Sequence, residues 1–202
     1  VKKSLLLLPL VLIASALALA ACGGGGSSSG GDETETAIAE VVEKSAMSTS
    51  PSKCTEFQTE AFNEQDQGVE GAEALKACEQ NVEESESPAE KVDVSNINVE
   101  GETATAEAAV TGSALNGQTV ELEAVEEEGT WKLNKFLSFT KFDGAALAEG
   151  LEEQFAKEEG VDPEEAECVS QGVGAASQKQ VEELAFEGNY ELLEEVAQGC
   201  EK

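Results

Sequence analysis

The chain has 202 residues, a formal charge of −30, five cysteines and no histidine. Its 42 acidic residues outnumber 12 basic ones, every one of them lysine, so it repels phosphate backbones and binding of nucleic acid through a basic surface is excluded. Without histidine there is no imidazole acid–base catalyst, no Ser-His triad and no histidine zinc site. With 40% hydrophobic but only 4% aromatic residues, the chain can build an aliphatic, alanine-rich core, and its length allows one domain plus a small module.

The N-terminus opens with Lys2 and Lys3, followed by an apolar run from Leu5 to Ala18 interrupted only at Pro9 and Ser15. Small residues then precede a cysteine in Leu19-Ala20-Ala21-Cys22. A basic start, an apolar middle and a small-residue cleavage site predict a secretory signal over residues 1–21. The pattern resembles a bacterial lipoprotein lipobox. That resemblance implies cleavage after Ala21, diacylglycerol and a palmitate-type acyl chain on Cys22, and a mature protein anchored to the cell membrane outside the cytoplasm. A chance cysteine in a secreted protein and an uncleaved anchor are the alternatives. The apolar stretch is marginal for spanning a bilayer, and the glycines that follow it favour cleavage.

Residues 22–35 contain GGGGSSSGG and then an acidic stretch, and they read as a tether. A Gly/Ser run of this length has a root-mean-square reach of roughly 17 Å. Removing Lys2 and Lys3 makes the mature chain still more acidic, so anionic headgroups repel it and the acyl chains must supply the membrane affinity. Solubility or a saline habitat would account for the same charge.

From residue 36 the apolar spacing is helical. Ile38, Val41, Val42 and Ser45 share a face, and Glu40 stands one turn before Lys44. A second helix is expected with Cys54, Phe57, Ala61 and Phe62 on one face, and a third with Ala72, Leu75, Cys78 and Val82. Beyond Pro88 the period becomes two. Val92 and Val94 alternate before a phase shift at Ile97 and Val99, which predicts a bulge. Ala104, Ala106, Ala108 and Val110 follow the Glu100-Gly101 turn, and Val120, Leu122 and Ala124 follow Asn116-Gly117. Trp131, Leu133, Leu137 and Phe139 are assigned to one side of a fourth strand after the acidic turn 126–129. Hairpin spacing and half-apolar alternation predict an antiparallel meander, hence an α+β domain over residues 36–142 with three helices packed on a curved sheet.

This order, with the segment Gly129-Thr130-Trp131-Lys132-Leu133 in the last strand, is similar to the nuclear transport factor 2-like superfamily, and to its small bacterial lipoprotein members of unassigned activity. The resemblance implies a cone with a cavity at its open end. Enzymes of that shape include isomerases and dehydratases that use Asp, His or Tyr side chains inside the cone. Here no histidine is available, Tyr190 lies outside the domain, and Asp93, Glu107, Glu121 and Glu123 fall in the polar phase of their strands. The expected cavity lining is Val92, Val94, Ala104, Ala106, Val120, Leu122, Trp131 and Leu133, none of which is catalytic.

Residues 143–202 read as a small all-α module. Leu147, Leu151 and Phe155 mark one helix, Asp162-Pro163 opens a second, Ser177 with Gln180 forms a capping box for a third, and Leu192, Leu193 and Val196 mark a fourth. Setting Cys22 aside for lipidation leaves four cysteines, which allow three connectivities. Local pairing, Cys54 with Cys78 and Cys168 with Cys200, keeps each bridge within one module. Neither thiol-catalytic nor zinc spacing is present, so no metal and no cofactor is expected. The sequence therefore points to a non-enzymatic binding or interaction protein, with a small apolar ligand or an envelope protein as its partner. A cone-type enzyme acting on a small apolar molecule and a passive envelope scaffold are the alternatives. Metabolic labelling with a fatty acid should tag the wild-type chain and fail to tag Cys22→Ser; label persisting in the variant would place the modification elsewhere.

Overall fold

The computed structural model describes residues 29–84, 88–157 and 161–200. The signal segment and Cys22 lie outside the described residues. Four helices come first: α1 (Ser29–Met47), α2 (Lys53–Glu56), α3 (Glu60–Gln67) and α4 (Ala72–Glu84). A four-stranded antiparallel sheet follows in the order β1 (Lys91–Glu100), β2 (Thr103–Thr111), β3 (Thr119–Glu127) and β4 (Thr130–Lys141). The chain ends in α5 (Gly144–Phe155), α6 (Pro163–Gly174), α7 (Gln178–Glu187) and α8 (Glu191–Cys200).

Two boundaries differ from the sequence reading. α1 runs from Ser29 to Met47, so its first described residues fall inside the stretch expected to be tether. Its apolar stripe is as expected, with Ile38, Val41, Val42 and Ser45 all buried. Lys44 reaches back 2.9 Å to Glu40 and holds that exposed carboxyl below its usual pKa, chiefly through the hydrogen bond. The second expected helix is two. The chain leaves the helix over Phe57–Thr59, reaching an extended backbone at Thr59, where Leu133 of β4 takes both of its backbone partners, donating to Phe57 O and accepting from Thr59 N at 2.9 Å each. Thr59 then caps α3 by accepting from Phe62 N. Among the described residues four helices, not three, therefore precede the sheet.

Alternation on β2 and β3 buries Ala104, Ala106, Ala108 and Val110 against Val120, Leu122 and Ala124 on the neighbouring strand. The expected bulge in β1 is present between Ser95 and Asn98, with Asn96 at φ 53°. At the β3–β4 hairpin Glu128 and Gly129 both have positive φ, as a two-residue type I′ turn requires. β4 departs from simple alternation. Its register slips opposite β3, so Trp131, Leu133, Phe136 and Phe139 pair with Glu126, Ala124, Leu122 and Val120. Phe136 takes the inward place expected for Leu137, which is exposed.

β4 is the edge of the sheet, so it has no neighbouring strand to pair its open side. Side chains supply the partners. Gln65 of α3 accepts from Phe136 N at 2.7 Å and donates to Phe136 O at 2.9 Å. Glu182 of α7 accepts from Phe139 N, and Gln178 donates to Phe139 O. With the Leu133 bridge, every third residue of the edge is closed by a different element. A side-chain amide that both accepts and donates substitutes for a neighbouring strand.

The sequence reading sets the last four helices apart as a module; in the structure they pack on the sheet. Val120, Phe139, Leu147, Val173, Val181 and Phe186 form one buried cluster, and Leu115 and Phe136 touch both it and the core beneath α1. Phe186 lies 5.4 Å from Phe136 and 4.9 Å from Phe139, ring centre to ring centre. The capping box of α7 and the Asp162 cap of α6 are formed as expected. α8 includes Gly199 and reaches Cys200. Gly144 and Gly174 cross in contact: a Cβ on Gly174 would sit 2.4 Å from Gly144 O.

Gln65→Leu should destabilise the fold by about 2 kcal/mol, because it strands a donor and two acceptors, whereas Lys135→Ala on the exposed face should stay within about 0.5 kcal/mol. Urea unfolding of both variants checks this, and equal midpoints would show that the edge is held by packing alone.

Candidate functional site

A cavity of about 420 Å³ lies between the C-terminal half of α1, the α3–α4 pair and the inner face of the sheet. Its apolar wall includes Val42, Phe62, Val92, Leu122, Leu133 and Phe136. Of the expected lining, Val92, Val120, Leu122 and Leu133 reach it. Ala104, Ala106, Trp131 and Val94 do not line it; the first three are buried in the same core cluster as Ile38 and Val41, and Val94 packs against it. Along α1, Val42, Ser45 and Ala46 line the cavity, whereas Ile38 and Val41 lie in the core away from it. Trp131 is a core residue and does not look into the cavity.

The wall also carries polar groups that sequence reasoning did not single out. Ser45, Lys53 and Gln58 line it and are all at most 5% exposed. Ser45 left a trace in the sequence, a hydroxyl on an otherwise apolar stripe. Gln58 left none, since its burial depends on the bridge to Leu133 across the fold. Gln58 Nε2 donates to Ser45 Oγ at 2.9 Å. At the more exposed side, Asn81 donates to Gln67, which in turn donates to Asp66 at 2.7 Å, so a polar chain joins α4 to α3 beside the cavity.

Carboxylates on the sheet occupy the opposite face. Glu107 accepts from Asn96 at 2.7 Å, Glu123 from Asn134 at 2.6 Å and Glu121 from Ser138 at 3.2 Å. The Lys179 ammonium on α7 is held above its usual pKa by its hydrogen bond to Glu183. Both partners belong to the helix surface, not to the cavity. Among the described residues no three Cys, Asp or Glu side chains come together to hold a metal ion. No helix among them is long and apolar enough to cross a membrane.

The cysteines pair locally. Cys54 of α2 joins Cys78 of α4 with Cα atoms 6.2 Å apart, and Cys168 of α6 joins Cys200 of α8 at 5.9 Å. The first bridge is buried beside Val82 and Leu75 and sits directly behind Gln58, whose Oε1 is 3.3 Å from Cys78 Sγ. Bridges of this loop length point to an oxidising compartment and to roughly 3–4 kcal/mol each from the chain-entropy argument. No protein-family profile matches the chain, and no curated protein or solved structure is significantly similar to it.

Non-reducing digestion should release the Cys54 peptide joined to that of Cys78, and the Cys168 peptide joined to that of Cys200. Converting Cys54 and Cys78 together to alanine should lower stability by about 3 kcal/mol in urea unfolding. A cross-linked peptide joining the two halves of the chain, or an unchanged midpoint, would contradict this pairing.

Proposed function

We propose that this chain is an extracytoplasmic lipoprotein, held to a bacterial membrane through Cys22, whose cone-shaped domain binds a small apolar molecule without transforming it. The observation that carries the reading is the cavity: a space of about 420 Å³ within the range of small-molecule sites, walled mainly by aliphatic and aromatic side chains. The anchoring half of the reading rests on the Leu19-Ala20-Ala21-Cys22 sequence and is supported by the two disulfides, which suit an exported protein. In this reading residues 1–21 are removed, the stretch before α1 connects body to lipid, and residues 36–142 form a domain of the nuclear transport factor 2-like type, with residues 143–202 as its helical companion.

Binding is favoured over catalysis because acid–base chemistry needs an ionisable group poised inside a water-poor site. The sheet carboxylates Glu107, Glu121 and Glu123 instead lie outside the cone, accepting hydrogen bonds from Asn96, Ser138 and Asn134. The ionisable groups that do line the cavity are Lys53, on the buried wall, and Asp66, which accepts from Gln67 at the more exposed side; with the amide of Gln58 and the hydroxyl of Ser45 they suit recognition.

Ala108 lies on the cavity wall and is buried on the inner face of β2. In the full chain carrying Cys22→Ser, the neutral solvatochromic dye Nile red should bind with blue-shifted emission. Ala108→Phe should weaken that binding at least tenfold while costing about 1–3 kcal/mol of stability. Undiminished dye binding in a folded Ala108→Phe chain would remove the cavity as the site.

A further inference from the structure

Gln58 and Ser45 form a hydrogen-bonded pair on the wall of the cavity, with Gln58 Nε2 donating to Ser45 Oγ. The other end of the Gln58 amide faces Cys78 Sγ at 3.3 Å. That sulfur is bonded to Cys54, so it carries no proton and has nothing to donate. Among the described residues, Gln58 Oε1 therefore receives no hydrogen bond, although the residue is 5% exposed. Ser45 accepts from Gln58, and no described group accepts its own hydroxyl proton. Gln58 Oε1 thus has no protein donor and the Ser45 hydroxyl no protein acceptor, on two residues that line the same cavity. A ligand that displaces water from these groups keeps its affinity only by reproducing both hydrogen bonds, one as donor and one as acceptor.

Resting on the cavity reading above, we propose that the ligand is an apolar molecule bearing an alcohol hydroxyl, which donates to Gln58 Oε1 and accepts from the Ser45 hydroxyl while the hydrocarbon body lies along Val42, Val92, Leu122 and Phe136. A hydroxyl is the smallest group that does both. Turning the amide over reverses the roles: Ser45 then donates to the amide oxygen, the amide N–H₂ donates to the alcohol oxygen, and the alcohol proton goes to a lone pair of Ser45 Oγ. A carboxylate accepts only, and its charge must be desolvated on entering. Lys53 also lines the wall, which makes the carboxylate of equal chain length the critical competitor.

Titration calorimetry on the full chain carrying Cys22→Ser compares 1-octanol, octanoate and 1-chlorooctane, three probes with the same hydrocarbon chain. Octanol should bind about tenfold tighter than chlorooctane, the equivalent of one well-formed hydrogen bond. Gln58→Met, which keeps the volume and removes the amide, should erase that preference and leave chlorooctane affinity within twofold. Ser45→Ala should erase most of it, and serves as the independent variant if Gln58→Met does not fold. Equal affinity for octanol and chlorooctane in the wild-type chain would overturn the hydroxyl assignment and leave the cavity reading standing. Octanoate binding tightest would overturn it in favour of charge recognition at Lys53. Binding of none of the three would remove the cavity reading itself.

Discussion

The irregular edge of β4 is the constraint on which the rest of the fold depends. A strand whose inward residues fall at Leu133, Phe136 and Phe139 advances three residues between core positions, and it cannot keep a regular ladder with β3 while doing so. What it gains is curvature, which bulges impose on a sheet. As the edge of the sheet it has no neighbouring strand to pair its open side. Three elements supply the partners: the Phe57–Thr59 segment, Gln65 of α3, and Gln178 with Glu182 of α7. The N-terminal helices and the C-terminal helices are therefore fastened to the same strand. Gln65 also donates to Phe186 O, which ties α3 to α7 directly.

That arrangement explains why the two halves of the chain share their packing. The rings of Phe62, Phe136, Phe186 and Phe139 follow one another at 4.9–5.4 Å from the first core into the second. Most of the remaining inner surface is alanine and valine, whose short side chains leave room. Aromatic rings are scarce in this chain, and four of them are spent on the seam between α3, β4 and α7. The seam closes, while the space in front of Val92 and Leu122 does not. Small residues also govern the approach of α5 to α6, where Gly144 and Gly174 meet without side chains between them.

Much of this was legible in the sequence, and the parts that were not share a cause. The stripe of α1, the meander, the bulge in β1, the caps at Asp162 and Ser177 and both cysteine pairings are local patterns or local consequences of them. Periodicity identified Val92, Val120, Leu122 and Leu133 as inward-facing residues that reach the cavity. It could not distinguish them from Ala104, Ala106 and Trp131, because inward alternation is the same whether the facing side chain is Ile38 or empty space. The swap of Leu137 for Phe136 needed the register of β3 against β4. The break between α2 and α3 needed Leu133, which is more than seventy residues away in the chain. A helical pattern running through Phe57 gave way to two hydrogen bonds formed only in the folded state.

Gln58 lies where these constraints converge. Its backbone is held in the bridge to Leu133, its side chain is braced against the Cys54–Cys78 bridge, and its amide is joined to Ser45 on α1. A polar group fixed from three sides loses little further freedom when a ligand meets it, so an interaction there costs less ordering entropy than one made by a mobile surface side chain. The disulfide has a second effect of chemical kind. A free thiol at Cys78 would have a proton to offer the amide; the oxidised pair has none. Formation of the bridge thus braces α2 against α4 and leaves one end of the amide without a protein donor, so the state of the chain that is most tightly stapled is also the one whose cavity wall has hydrogen-bonding capacity to spare.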